Sequence, residues 1–330
     1  MQSLFTRFLF AGLLIAASPI NGFASPARSK LLPLIPREAQ VVAGVEDPGN
    51  QDTRGHLLLV SLNNRFDFDD FLALTGVDTS RGVDETIWAA AARPPSEADE
   101  HMLLVDGRFD AGHIFRAARQ NGADTTIYRG LEVLLLKPFA REERLMRDTR
   151  WMAILDGRTV VLGTTWLVQK ALDRYVDHQP PDPLVARRLG HLHPRVNAWS
   201  VLVMPQGVSL KHAALGQSSA PLMDLLGSDI LNGADELMLG IRYGPESRID
   251  FVVLKSDDLE TSGIANSGEG LALQHQFEAG LFERRPPRLE NLSIEQNLIR
   301  GSIVLPGKQL DACLMHASCG GPVKILRPGR

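Results

Sequence analysis

The chain has 330 residues, with 35 basic against 39 acidic side chains and a net charge of −4, so it lacks the basic excess of a nucleic-acid-binding protein. Its 44% hydrophobic content is that of a globular chain. Its two cysteines, Cys313 and Cys319, both lie near the C-terminus.

The N-terminus carries Arg7, then an apolar run over 8–17, then Gly22-Phe23-Ala24 before Ser25. A basic start, an apolar stretch and a small-x-small site together predict a signal peptide over residues 1–24. The alternative is a retained anchor, but Ser18, Pro19 and Asn21 interrupt the run well before the roughly 20 apolar residues of a membrane-spanning helix. No cysteine follows the run to take a lipid. The expectation is therefore an exported, periplasmic or extracellular protein with no stable membrane span once the signal is removed.

The remainder exceeds the common single-domain size, which suggests two domains. Residues 25–55 form an extended lead-in, with Pro26, Pro33 and Pro36 before a short strand at 41–45 and a polar loop. Then a rhythm begins. His56-Leu57-Leu58-Leu59-Val60 reads as a buried strand, Asp67 caps a helix carrying Phe68, Phe71 and Leu72, Gly76 ends it, and 83–91 reads as a second strand. His101-Met102-Leu103-Leu104-Val105 echoes the first strand, and Arg108-Phe109-Asp110 echoes Arg65-Phe66-Asp67. The helix after Asp110 carries Ile114, Phe115 and Ala118 and stops at Gly122, before strand residues 126–136 broken at Arg129-Gly130.

Two β-α-β halves in succession are the pattern of a ferredoxin-like plait. A basic connector over 137–150 follows, then a hairpin turning at Asp156-Gly157, and a helix from Thr165 with Leu167, Val168, Ala171, Leu172 and Tyr175 on one stripe. The Pro180-Pro181-Asp182-Pro183 stretch marks a boundary. Beyond it the element order repeats: a strand at 197–204, a helix over 209–231, alternating strands around Leu237 to Tyr243 and Ile249 to Val253, a helical stretch over 258–282, and a final hairpin ending at 305. The predicted class is α+β, a tandem of two ferredoxin-like (βαββαβ) plaits near 56–137 and 195–305 with an intervening hairpin and helix. Domains are expected at 56–180 and 181–330, with the strands at His56 and His101 parallel and adjacent in the first plait.

The blocks 55–60, 70–78 and Pro138-Phe139-Ala140-Arg141-Glu142, with Arg150-Trp151, resemble those of uncharacterised exported bacterial proteins of unknown function. The resemblance covers most of the mature chain and implies no activity, substrate or site.

Hydrolase signatures of the Gly-x-Ser-x-Gly, Ser-x-x-Lys and His-Glu-x-x-His types are missing from the sequence. Residues 301–308 space their glycines wrongly for a phosphate loop, and Gln309 stands where a magnesium-binding hydroxyl belongs. Gly268-Glu269-Gly270 lacks the third glycine of a dinucleotide fingerprint. Cys313, His316 and Cys319 supply only three metal ligands, and an exported chain favours a Cys313–Cys319 disulfide over free thiols and over metal. His191-Leu192-His193 would point both rings one way on a strand, but after Arg187 and Arg188 it reads as a surface turn. Asp67, Asp69 and Asp70, and the loop Asp47, Asn50 and Asp52, fall short of a calcium pattern. Trp88, Trp151, Trp166 and Trp199 stand beside apolar elements and read as packing.

Arg141, Arg144, Arg147 and Arg150 step by three through the connector, and their guanidinium groups could grip an anionic partner. A solvated linker with local ion pairs is the plainer account. The functional expectation is a non-enzymatic extracytoplasmic binding or scaffold protein for an unknown protein or small ligand, with no cofactor and no metal. Two alternatives stand beside it: an enzyme whose site assembles only in three dimensions, and a metal or redox protein centred on the C-terminal cysteines.

Overall fold

Strand follows strand through one antiparallel sheet. The structure, a computed structural model, describes residues 26–46, 82–92, 99–136, 150–204, 226, 228–231, 234–255, 287–295 and 297–316. Its strands are β1 (Val41–Glu46), β2 (Val83–Ala92), β3 (Asp99–Gly107), β4 (Asp124–Tyr128), β5 (Leu131–Leu136), β6 (Arg150–Leu155), β7 (Thr159–Thr164), β8 (Ala198–Val203), β9 (Ala234–Arg242), β10 (Glu246–Lys255), β11 (Arg288–Glu295) and β12 (Leu298–Pro306). The helices are α1 (Ala111–Gln120), α2 (Thr165–Val176), α3 (Pro183–Leu189), α4 (Ser228–Leu231) and α5 (Gly307–His316), with short 3-10 turns at Pro26–Arg28 and Leu32–Leu34. The sheet order is β11-β12-β10-β9-β8-β1-β2-β3-β7-β6-β5-β4.

This corrects the expected tandem of ferredoxin-like plaits. The strand containing His101, β3, pairs antiparallel with β2 on one side and β7 on the other, and every other pairing of the sheet is antiparallel too. The other strand of the expected parallel pair, at His56, lies outside the described residues. In a βαββαβ plait each helix returns the chain to the same four-stranded sheet with one strand between the two it joins, whereas here α1 leads from β3 to β4, four places along a single sheet of twelve strands. The sheet also runs across the expected boundary at residue 180, because β1 pairs with β2 on one edge and with β8 on the other.

Alternation along the strands divides the core between two faces. One face carries Val42, Ile87, Met102, Leu104, Val161, Ala153, Trp199, Val201 and Met238, covered by Leu31 to Ile35 of the lead-in and by apolar residues of α2 and α3. On the other face, α1 covers Leu103, Val105, Met152, Val160 and Leu162 through Ile114, Phe115 and Ala118. A third cluster gathers β8, β9, β10 and β12 around Phe251 with Ile230 and Leu310 from α4 and α5.

Local chemistry accounts for the ends of these elements. Asp110 caps α1, its Oδ1 accepting from the His113 amide at 2.9 Å. The β4–β5 and β6–β7 hairpins each turn on a residue pair at positive φ: Arg129 and Gly130 at 50° and 84°, Asp156 and Gly157 at 48° and 69°. Those values match the type I′ turn that the sheet's twist favours. Among the described residues no helix is long and apolar enough to cross a membrane.

Candidate functional site

Position in the sheet, rather than any sequence motif, assembles the polar residues of interest. Register places Glu46 opposite Glu85 and Glu85 opposite Asp106, with Thr159 next in the row on β7. Counting by twos from Val42, Ile87 and Leu104 puts all three carboxylates on the face that the lead-in covers. They form a polar row at the end of an apolar strip.

Burial pushes the Glu46 carboxyl up to about 7, with the Glu85 charge adding to the effect. Burial likewise raises Glu85 to about 7; Ser29 opposes it, the Asp106 charge adds to it and the Lys30 charge opposes it. Glu85 Oε1 is buried with no hydrogen-bond partner among the described residues. A carboxyl in that setting keeps its proton to higher pH than an exposed one does. Asp106 is better provided, because Arg158 reaches it at 3.5 Å while also pairing with Asp84 at 2.7 Å.

Beside this row lies a cleft of about 300 Å³ between the lead-in, the end of α2 and the β6–β7 turn. Lys30, Pro33, Leu34, Asp106, Arg158, Tyr175 and His178 are among the residues lining it. Its wall is held by Arg174, a buried residue of α2. The Arg174 guanidinium donates from Nε to the Pro33 carbonyl at 2.7 Å, from one terminal nitrogen to Gln179 Oε1 at 2.9 Å, and from the other to the Pro180 carbonyl at 2.6 Å. Burial pulls this guanidinium below its ordinary value and the Asp182 charge opposes the shift. One side chain thus ties the lead-in, the helix end and the following turn together.

The end of α2 also sets His178. After the cap at Asp177, His178 takes φ 47°, its amide donating to the Tyr175 carbonyl at 3.2 Å, and Gln179 N returns to the Arg174 carbonyl at 2.9 Å. Glycine is the usual residue for this left-handed turn, since it has no Cβ to crowd the backbone.

No protein-family model and no curated protein matches the chain. Among solved structures it is similar to crystal form I of TP0453, at 12% identity and a TM-score of 0.48, covering 87% of this chain and 97% of that one.

The residues singled out from sequence fall elsewhere. Arg150 is the first residue of β6, opposite Leu136 and Thr164, and its side chain is 6% exposed. It belongs to the sheet rather than to a solvated connector. Arg141, Arg144 and Arg147 lie outside the described residues, as do Cys319 and both candidate calcium loops; Cys313 falls within α5 by its backbone alone. His191 and His193 occupy the turn after α3, with His193 Nδ1 accepting from the Arg195 amide at 3.1 Å. Being off a strand, the two rings lose the geometric reason to converge. Among the described residues no group of three His, Cys, Asp or Glu side chains could hold a metal ion. Trp199 is buried against Gly44, and Trp151 meets Tyr128 edge to face at 5.4 Å, both as packing.

Sequence reading missed Lys30, Glu85, Asp106, Arg174 and His178. One signal was present for two of them: Glu85 and Asp106 continue the apolar phase of Ile87 and Leu104, so each sits where alternation calls for a core residue. Nothing in the sequence marks Lys30 or His178, which approach each other only through the packing of the lead-in on α2.

Proposed function

We propose that this is an exported, non-catalytic binding protein that holds a small ligand in the cleft between residues 30–34 and the end of α2. The observation that carries the reading is the Arg174 clamp, which fixes the cleft wall from three directions through the protein's own oxygens. Small-molecule sites are concave and largely formed in advance, commonly with volumes of about 300–1,000 Å³, and this cleft is about 300 Å³. Its carboxylates are also engaged: Asp106 by Arg158, and Asp156 Oδ1 by the amides of Arg158 and Thr159, each at 3.1 Å. Occupied carboxylates favour holding a molecule over moving its protons. Export rests on the Arg7 to Ala24 pattern.

Native mass spectrometry of full-length protein expressed in a secreting host tests this. The wild type should carry a small molecule, and its mass should begin near Ser25. Thr159→Trp should arrive empty with an unchanged melting temperature, because the indole would occupy the cleft from β7. An equal ligand load in both proteins would remove the cleft from consideration.

A second reading, an acid–base enzyme, is favoured by the Glu46–Glu85 pair, since carboxyl groups pushed to about 7 are poised to exchange protons near neutrality. Turnover in a substrate screen that disappears in Glu85→Gln would establish it.

A further inference from the structure

The cleft's polar groups divide unevenly. Its two carboxylates are engaged within the protein, Asp106 by Arg158 and Asp156 by the amides of Arg158 and Thr159, as are the two arginines: Arg158 by Asp84 and Asp106, Arg174 by its three oxygen partners. Among its remaining donors are the Lys30 ammonium, the Tyr175 hydroxyl and the His178 imidazole. None of these three side chains has a hydrogen bond or ion pair with another described residue. They come from two separate elements, the lead-in and the end of α2, and face one space.

We infer that the cleft binds a small organic oxyanion, a carboxylate or a phosphate ester, with Lys30, Tyr175 and His178 as its recognition groups. The inference rests on the binding reading above and names the ligand's class. A cation would meet the Lys30 ammonium, with Asp106 already engaged by Arg158 and Asp156 by two backbone amides, whereas an oxyanion meets that ammonium and two further donors. Hydrogen bonds to a charged acceptor are the stronger kind. Pro33, Leu34 and the ring of Tyr175 supply apolar wall, which suits a short carbon body attached to the charged group. A cleft of about 300 Å³ has room for roughly ten atoms the size of water.

The backbone of His178 gives this proposal a discriminating variant. The residue holds φ 47°, a conformation that glycine adopts without steric cost and other residues do not. His178→Gly should therefore leave the melting temperature unchanged or raise it while deleting one recognition group.

The test is calorimetric titration of the full chain, freed of co-purified material by refolding, with glycerol 3-phosphate, 3-hydroxybutyrate, glycerol and choline as probes. At least one of the two anions should bind about tenfold or more tightly than glycerol or choline, and added salt should weaken it. Lys30→Ala and His178→Gly should each weaken that binding by about tenfold, as expected for a lost hydrogen bond to charge. Preference for glycerol or choline, or no response to either anion, would overturn the oxyanion assignment while leaving the cleft itself to the Thr159→Trp comparison. Anion binding that survives in His178→Gly and Thr159→Trp would place it outside the cleft and overturn both readings.

Discussion

Glu46 and Glu85 face each other across β1 and β2, and each is held at about 7 against an ordinary value of 4.5. An acid raised in this way keeps its proton in the fold after the unfolded chain has released its own. The pair's contribution to stability is therefore fully present below about 4.5 and is lost as pH rises through about 7. Lys30 and Ser29 moderate the effect on Glu85, and Asp106 strengthens it. His193, lowered by burial and then by Arg242, gives the opposite slope, so the wild-type curve alone is a mixture. The readout is the difference between wild type and Glu85→Gln in urea unfolding at stepped pH. Glutamine stays neutral throughout, so the variant should lose less stability than the wild type between pH 4.5 and 7; parallel curves would remove the carboxyl row as their source. At this scale the sequence was legible where a residue acts on its own neighbours, as Asp110 does in capping α1. The row was not, because Glu46, Glu85 and Asp106 come from three strands and meet only through register.

The elements that shape the cleft are the lead-in and α2, and one guanidinium joins them. Replacing Arg174 by Ala would leave the Pro33 and Pro180 carbonyls and the Gln179 amide oxygen without their donor. Losing hydrogen bonds to a charged, buried group costs about 2–4 kcal/mol in unfolding free energy, which denaturant titration can measure. Hydrogen exchange should quicken first at Leu34 and Ile35, whose amides close the 3-10 turns of the lead-in. A variant with wild-type stability and exchange would show that apolar packing of Leu31, Leu32 and Ile35 alone holds the segment. These elements were partly visible in sequence. The apolar stripe Leu167, Val168, Ala171 and Leu172 predicted α2, and all four residues are buried; Asp156-Gly157 predicted the β6–β7 turn. The stripe could not reveal its partner, since an apolar face fits a sheet, a helix or a proline-rich segment equally well.

At the scale of the whole molecule, a strand–helix–strand rhythm fits parallel crossovers and antiparallel meanders alike, and the repeated letters around His56 and His101 gave no information about which strands pair. The decision lies with β1, a six-residue strand read from sequence as part of the lead-in. It stands between β2 and β8 and makes one sheet of the two halves. Its Gly44 lies so close to the Trp199 indole of β8 that a Cβ there would come within 2.4 Å of the ring. Any side chain at this position must push the buried indole aside or separate β1 from β8, and overpacking of that kind costs typically about 1–3 kcal/mol. Because β1 belongs to both halves, the loss should appear in the molecule as a unit. We expect the wild type to unfold in one cooperative transition by calorimetry, and Gly44→Val to melt lower with the same probe-independent profile. Tryptophan fluorescence, which includes Trp199, and far-ultraviolet circular dichroism should move together in both proteins. Two separated transitions in the wild type would mean that the halves fold independently and that β1 is only an adaptor between them. A Gly44→Val protein as stable as the wild type would contradict the close packing of β1 on Trp199.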